Sequence, residues 1–126
     1  MDRLAPCPER PNCVSSLARD RAHRVEPLPL DGPVEQALER LREIIERMPR
    51  AMVDEVGEAH LKARFRSRWF RFTDDLELAV DAPAGVIHIR SASRVGRSDL
   101  GVNRSRVEAI RSRYLAPDRQ DAHQGG

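Results

Sequence analysis

Residues 60–91 read HLKARFRSRWFRFTDDLELAVDAPAGVIHIRS, and their alternation decides the fold. Side chains of a strand point to opposite faces in turn, so a half-buried strand carries apolar residues at every second position. Leu61, Ala63 and Phe65 obey that rule in a strand starting at His60 and running to Phe72. Leu76, Leu78 and Val80 repeat it before a turn at Asp81–Gly85, and Val86–Ser91 follows with Ile87 and Ile89 facing inward. Upstream, Ala51–Val56 reads as a short strand and Gly57-Glu58 as a turn. Four consecutive strands joined by short turns predict an antiparallel meander with one buried and one polar face.

Helices supply the cover for that face. From Pro33, apolar residues fall at Val34, Ala37, Leu38, Leu41, Ile44, Ile45 and Met48, the steps of three and four that line one side of a helix. Asp31 and Gly32 are expected to cap it, Pro33 suits its first turn and Pro49 ends it, which predicts a helix over 33–48. A second helix after Gly101 presents Asn103, Val107, Ile110 and Tyr114 on its inner side and stops at Pro117. The expected fold class is α+β: a two-layer sandwich of a four-stranded antiparallel sheet with two helices on one face and an extended N-terminal arm. Five prolines before residue 30 exclude long helices and central strands from residues 1–32, which are expected to pack on the domain or its sheet edge. Residues 33–116 form the α+β domain, and the polar tail over 117–126 is expected to be disordered.

The chain has 126 residues, enough for one modest core. Its 22 basic and 20 acidic residues nearly cancel to a formal charge of +2, so composition makes no case for nucleic acid. His60, Lys62, Arg64, Arg66 and Arg68 share one sheet face, but Asp75, Glu77 and Asp81 of the next strand are placed to neutralise them. No apolar run is long enough to span a bilayer, and none marks a signal peptide, so a cytoplasmic location is expected. Cys7 and Cys13 close a small ring in an oxidising compartment, worth about 2 kcal/mol, and stay thiols in a reducing one. A C-x5-C pair lacks the two further ligands of a closed zinc site, so neither a metal nor a cofactor is expected.

Three ordered motifs carry a family resemblance: PCPERPNCVSS over 6–16, FRFTDD over 70–75 and RSASRVGRSDLGVNR over 90–104. With them the chain closely resembles the domain-of-unknown-function 1499 family, up to about Leu115. The resemblance implies occurrence in bacteria and plastids, often behind a signal or membrane segment, and no established activity. No such segment is expected in this chain, unlike many relatives.

The third motif is the best candidate site. It leaves a strand at Ser91, turns on two glycines and enters a helix, whose free N–H groups and dipole favour an anion. Ser91, Ser93, Arg94, Asp99, Asn103 and Arg104 are the candidate ligand-binding residues, suited to a small anionic ligand or a lipid or phosphate headgroup. The same segment has a structural reading, in which Asp99 caps the helix, Gly96 and Gly101 supply positive φ, and Arg94 pairs with Asp74 or Asp75. Cys7 and Cys13 are assigned a structural role in pinning the arm.

Three functions fit these residues. The first is a non-enzymatic binding module for a small anion at the strand-to-helix loop. The second is an undiscovered hydrolase or transferase, with Asp99, Asp74 or Asp75 as acid or base and the arginines as oxyanion donors. The third is a scaffold element that meets a protein partner through Trp69, Phe70 and Phe72.

Overall fold

The computed structural model describes residues 4–67, 72–96 and 99–116. The tail over 117–126 lies outside the described residues, as do Trp69 and Phe70. In chain order the elements are β1 (Cys13–Ser15), β2 (Leu28–Pro29), α1 (Val34–Glu46), β3 (Ala51–Val56), β4 (His60–Arg66), β5 (Thr73–Asp81), β6 (Val86–Ser93) and α2 (Val102–Leu115).

The meander β3–β6 is present, with Leu61 opposite Leu78 and Leu78 opposite Ile89, but β4 ends at Arg66 and does not run on to Phe72. Ala63, Leu76 and Val80 join them on the buried face, while His60, Lys62, Glu77 and His88 lie on the other. The sheet has six strands, not four, in the order β1-β6-β5-β4-β3, with β2 also on β6. Both extra strands come from the arm. Cys13, Val14 and Ser15 pair with Ala92, Ser91 and Arg90, and Leu28 and Pro29 pair with Ile87 and Val86, so the two segments share the outer edge of β6. Strands of three and two residues are too short to show alternation in the sequence. Proline is tolerated there because an edge position does not require its missing N–H. The arm thus covers what would otherwise be an open row of unpaired backbone groups.

α1 packs Ala37, Leu38, Leu41 and Ile45 into the core, with Val34, Ile44 and Met48 at its margin. Its start differs in detail from expectation. Pro33 occupies the N-cap position with extended backbone, and no side chain caps the helix, so Asp31 does not fill that role. α2 buries Asn103, Val107, Ile110 and Tyr114. The two helices are clamped at one end by Arg40 of α1, whose Nη2 donates to the carbonyls of Tyr114 at 3.1 Å and Ala116 at 3.0 Å. A cation on the last carbonyls of a helix satisfies acceptors that have no partner within it and meets the negative end of the dipole. Tyr114 then ties α2 to the arm, its hydroxyl donating to Pro29 O at 2.8 Å.

Candidate functional site

Where β6 hands over to α2, the inner face of the sheet turns from apolar to polar. Register sets Phe65, Asp74 and Ser93 side by side at that end, one step beyond Ala63, Leu76 and Ser91. Ser91 and Asn103 are fully buried, and Asp74 is 6% exposed. Asn103 is the hub. Its Oδ1 accepts from Ser91 Oγ at 2.6 Å and from Arg106 Nη1 at 2.8 Å. Its Nδ2 faces Asp99 Oδ2 at 2.6 Å, Ser93 Oγ at 3.0 Å and Asn12 O at 3.2 Å. Asp99 also caps α2, its two carboxylate oxygens accepting the N–H groups of Gly101 at 2.8 Å and Asn103 at 3.1 Å. Gly101 holds φ at 82°, a left-handed conformation that a side chain would strain.

Arg106 completes this network and was not among the candidate residues. Its Nη1 lies 2.9 Å from Asp74 Oδ2, and its guanidinium stacks 4.5 Å from the centre of the Phe65 ring. The side chains of Arg106 and Asp74 are 10% and 9% exposed. Burial pushes the Arg106 pKa below its usual value, opposed by the Asp74 carboxylate. A signal for it exists in the sequence. Asp74 is in phase with Leu76, Leu78 and Val80, so it points inward, and a buried carboxylate requires a cation. Arg106 is one helical turn from Asn103 on the inner side of α2.

Arg94 and Arg104 are placed differently. Arg94 meets Asp75 through two bonds of 2.9 Å, with both side chains more than a third exposed. That pairing raises the Arg94 pKa through the carboxylate hydrogen bond. Arg104 reaches back to the arm and donates to Arg24 O at 2.9 Å and Ala22 O at 3.0 Å. Between that arm segment and α2 lies a recess of about 430 Å³. Arg19, Arg21, Arg24 and Arg104 line it, together with Glu26 and Glu108. Both carboxylates are already engaged, Glu26 by Arg24 at 3.3 Å and Glu108 by Arg111 at 3.1 Å. The side chains of Arg19 and Arg21 are exposed and make no hydrogen bond or ion pair among the described residues.

A profile of proteins of unknown function (DUF1499) matches residues 3–114, a span that contains all three motifs. The chain belongs to the DUF1499 family. No curated protein matches it.

On the far face of this DUF1499 domain two members of the basic stripe, His60 and Arg64, meet carboxylates, and these come from β3; the expected Asp75, Glu77 and Asp81 lie instead by Arg94, Arg90 and His88. Arg64 makes two bonds of 2.8 Å to Asp54 of β3, His60 pairs with Glu55, and Arg90 lies 3.7 Å from Glu77. Arg68 lies outside the described residues. Phe72 is 48% exposed. Ser16 Oγ, His88 and Asp81 stand in the order of a hydrolytic triad, at 3.0 Å and 3.9 Å. Ser16 is only 3% exposed, however, and its Oγ accepts the Ile89 N–H at 2.9 Å, so the hydroxyl fastens the arm to β6. Cys7 and Cys13 form a disulfide. Among the described residues no helix is long and apolar enough to cross a membrane, and no group of three or more His, Cys, Asp or Glu is placed to hold a metal ion.

Proposed function

We propose that this DUF1499 domain is a non-enzymatic binding module for a compact anion bearing phosphate or carboxylate groups, and that the anion is taken in the recess between the arm and α2. One observation carries the reading: four guanidinium groups line a single recess, and two of them have no partner among the described residues. Paired N–H donors in a fixed plane match phosphate and carboxylate oxygens. Among the described residues Val25 is the only apolar one that lines the recess and no aromatic ring lines it to stack a base, which favours a compact anion over a nucleoside. Of the residues expected at the strand-to-helix loop, Arg104 would contact the ligand. Ser91, Ser93, Asp99 and Asn103 would act one step back, holding the start of α2 where Arg104 can meet the arm.

The test is a thermal-unfolding titration with inorganic phosphate, pyrophosphate and citrate at fixed ionic strength. At one hundred times its Kd, a ligand that binds only the folded state adds about 2.7 kcal/mol. Wild type and Arg94→Ala should both show a saturable rise with at least one of these anions, and Arg19→Ala/Arg21→Ala should lose it. No saturable rise in wild type, or an equal rise in the double variant, would overturn the proposal.

A further inference from the structure

The Cys7–Cys13 disulfide encloses five residues, Pro8 to Asn12, and three consecutive carbonyls of that ring grip three different parts of the domain. Arg10 O accepts from His23 Nε2 at 3.0 Å. Pro11 O accepts the N–H of Asp99, the residue that caps α2, at 3.2 Å. Asn12 O accepts from Ser93 N at 2.9 Å and from Asn103 Nδ2 at 3.2 Å. The Asn12 side chain adds a fourth attachment, donating to Gly96 O at 2.6 Å. Pro8 and Pro11 fix φ at two of the five enclosed positions, and the disulfide fixes the ends. Neighbouring carbonyls can diverge toward separate donors only while that turn is held.

His23 transmits the ring to the recess. Its other nitrogen, Nδ1, donates to Asp20 Oδ2 at 2.5 Å, so the imidazole bridges the ring to the segment carrying Arg19, Arg21 and Arg24. On its far side that segment receives Arg104 at Ala22 O and Arg24 O. The continuous path is disulfide, Arg10 carbonyl, His23, arginine segment, Arg104.

We infer that the disulfide is a redox latch: with the bond closed the ring holds the strand-to-helix loop and the arginine segment in place, and reduction releases both while the β3–β6 meander stays folded. A dithiol reductant is the partner this requires. Cys7 is half-buried and Cys13 only 2% exposed, so attack falls on Cys7 Sγ. The reductant's thiolate forms a mixed disulfide there, and the electron pair of the broken S–S bond leaves on Cys13 Sγ, which takes up a proton. The reductant's second thiolate then attacks its own sulfur in the mixed disulfide and releases Cys7 as the second thiol. Two electrons and two protons pass to the protein, and the reductant leaves as its own disulfide. The core has its own support, since Leu61, Leu76, Leu78, Ile87 and Ile89 bury one another beneath the helices. The consequence for ligand binding rests on the reading of the recess as an anion site; the release of the loop does not.

Amide hydrogen exchange on the full chain, oxidised and then reduced with dithiothreitol, tests the latch. Cys7→Ser/Cys13→Ser serves as an open form that needs no reductant. In both open forms, protection at Ser93 and Asp99 should fall by about tenfold or more, while amides of the β4–β5 ladder keep theirs. Unchanged protection at Ser93 and Asp99 would overturn the inference, and so would a parallel loss along the ladder, because the disulfide would then be a general staple. Titrations of the two redox states with inorganic phosphate, pyrophosphate and citrate separate the two proposals. Binding by the oxidised form that weakens about tenfold or more on reduction supports the coupling. Equal binding refutes the coupling, and no binding by the oxidised form refutes the recess reading while the exchange data still decide the latch.

Discussion

Arg104 and Arg106 stand two residues apart on α2, about 200° around its axis, and the difference between them divides the domain's polar chemistry in two. Arg106 points inward, where Asp74, Ser91 and Asn103 bond to it or to one another. Arg104 points outward to a recess whose arginines outnumber their carboxylates. The same residue types therefore serve opposite ends. Sealed from water, they specify where the last helix docks, and a missing partner is costly. Open to water, each one contributes little to stability and remains available to a ligand.

The largest effect that would break this contrast is expected at the buried pair. Arg106→Ala leaves Asp74 charged and alone, and should cost about 3–5 kcal/mol in denaturant unfolding. A loss below about 1 kcal/mol, the range of exposed pairs, would show that the pair is wet. Asn103→Ala removes the hub without leaving a bare charge. It should cost about 1–3 kcal/mol, and a double-mutant cycle with Ser91→Ala should show strong coupling.

A smaller effect, visible only against pH, is expected at His23. Both ring nitrogens face acceptors, so the imidazolium is the form that makes both bonds. The Arg10 carbonyl, and then Asp20, raise the His23 pKa above its ordinary 6.5, and the His23 hydrogen bond lowers that of Asp20 below 3.8. A raised folded pKa means that the contribution of His23 is complete below about 6.5 and fades as pH climbs through the folded value. A lowered one means that the contribution of Asp20 is present above 3.8 and fades as pH falls through its folded value. The unfolding temperature of wild type relative to His23→Gln should therefore be greatest in mildly acidic solution and decline on the alkaline side; a flat difference would remove the charged bridge. The smallest effect sharpens the contrast from the other end. Arg19→Ala/Arg21→Ala should change stability by no more than about 0.5 kcal/mol without ligand, since both side chains are exposed and unpaired among the described residues.

The sequence makes legible whatever repeats with a short period. The meander shows in Leu61, Ala63 and Phe65 and their partners, α1 in its apolar stripe, and the inner side of α2 in Asn103, Val107, Ile110 and Tyr114. β1 and β2 escaped because two or three residues carry no period, and because proline argues for a strand only once an edge is known to exist. Arg106 escaped for another reason: a charged residue on a helix is by default read as solvated, and only the inward phase of Asp74 argues otherwise. The recess has no local signature, because Arg104 meets Arg24 and Ala22 from 80 and 82 residues away. Cys7 and Cys13 showed that a ring could form, but not that its carbonyls would hold both ends of the domain.

The arm's place on β6 also sets an order of events in synthesis. Cys13–Ser15 emerges early, yet its pairing partner Arg90–Ala92 is made more than seventy residues later. Until then the meander has no outer neighbour and the arm has nowhere to dock. A nascent chain would present the exposed margin of β6 as soon as that strand pairs with β5, and docking the arm back onto it closes a loop of more than seventy residues. Such distant pairing is slow, so it should be the late step in maturation and the point at which a second copy of the chain could intrude.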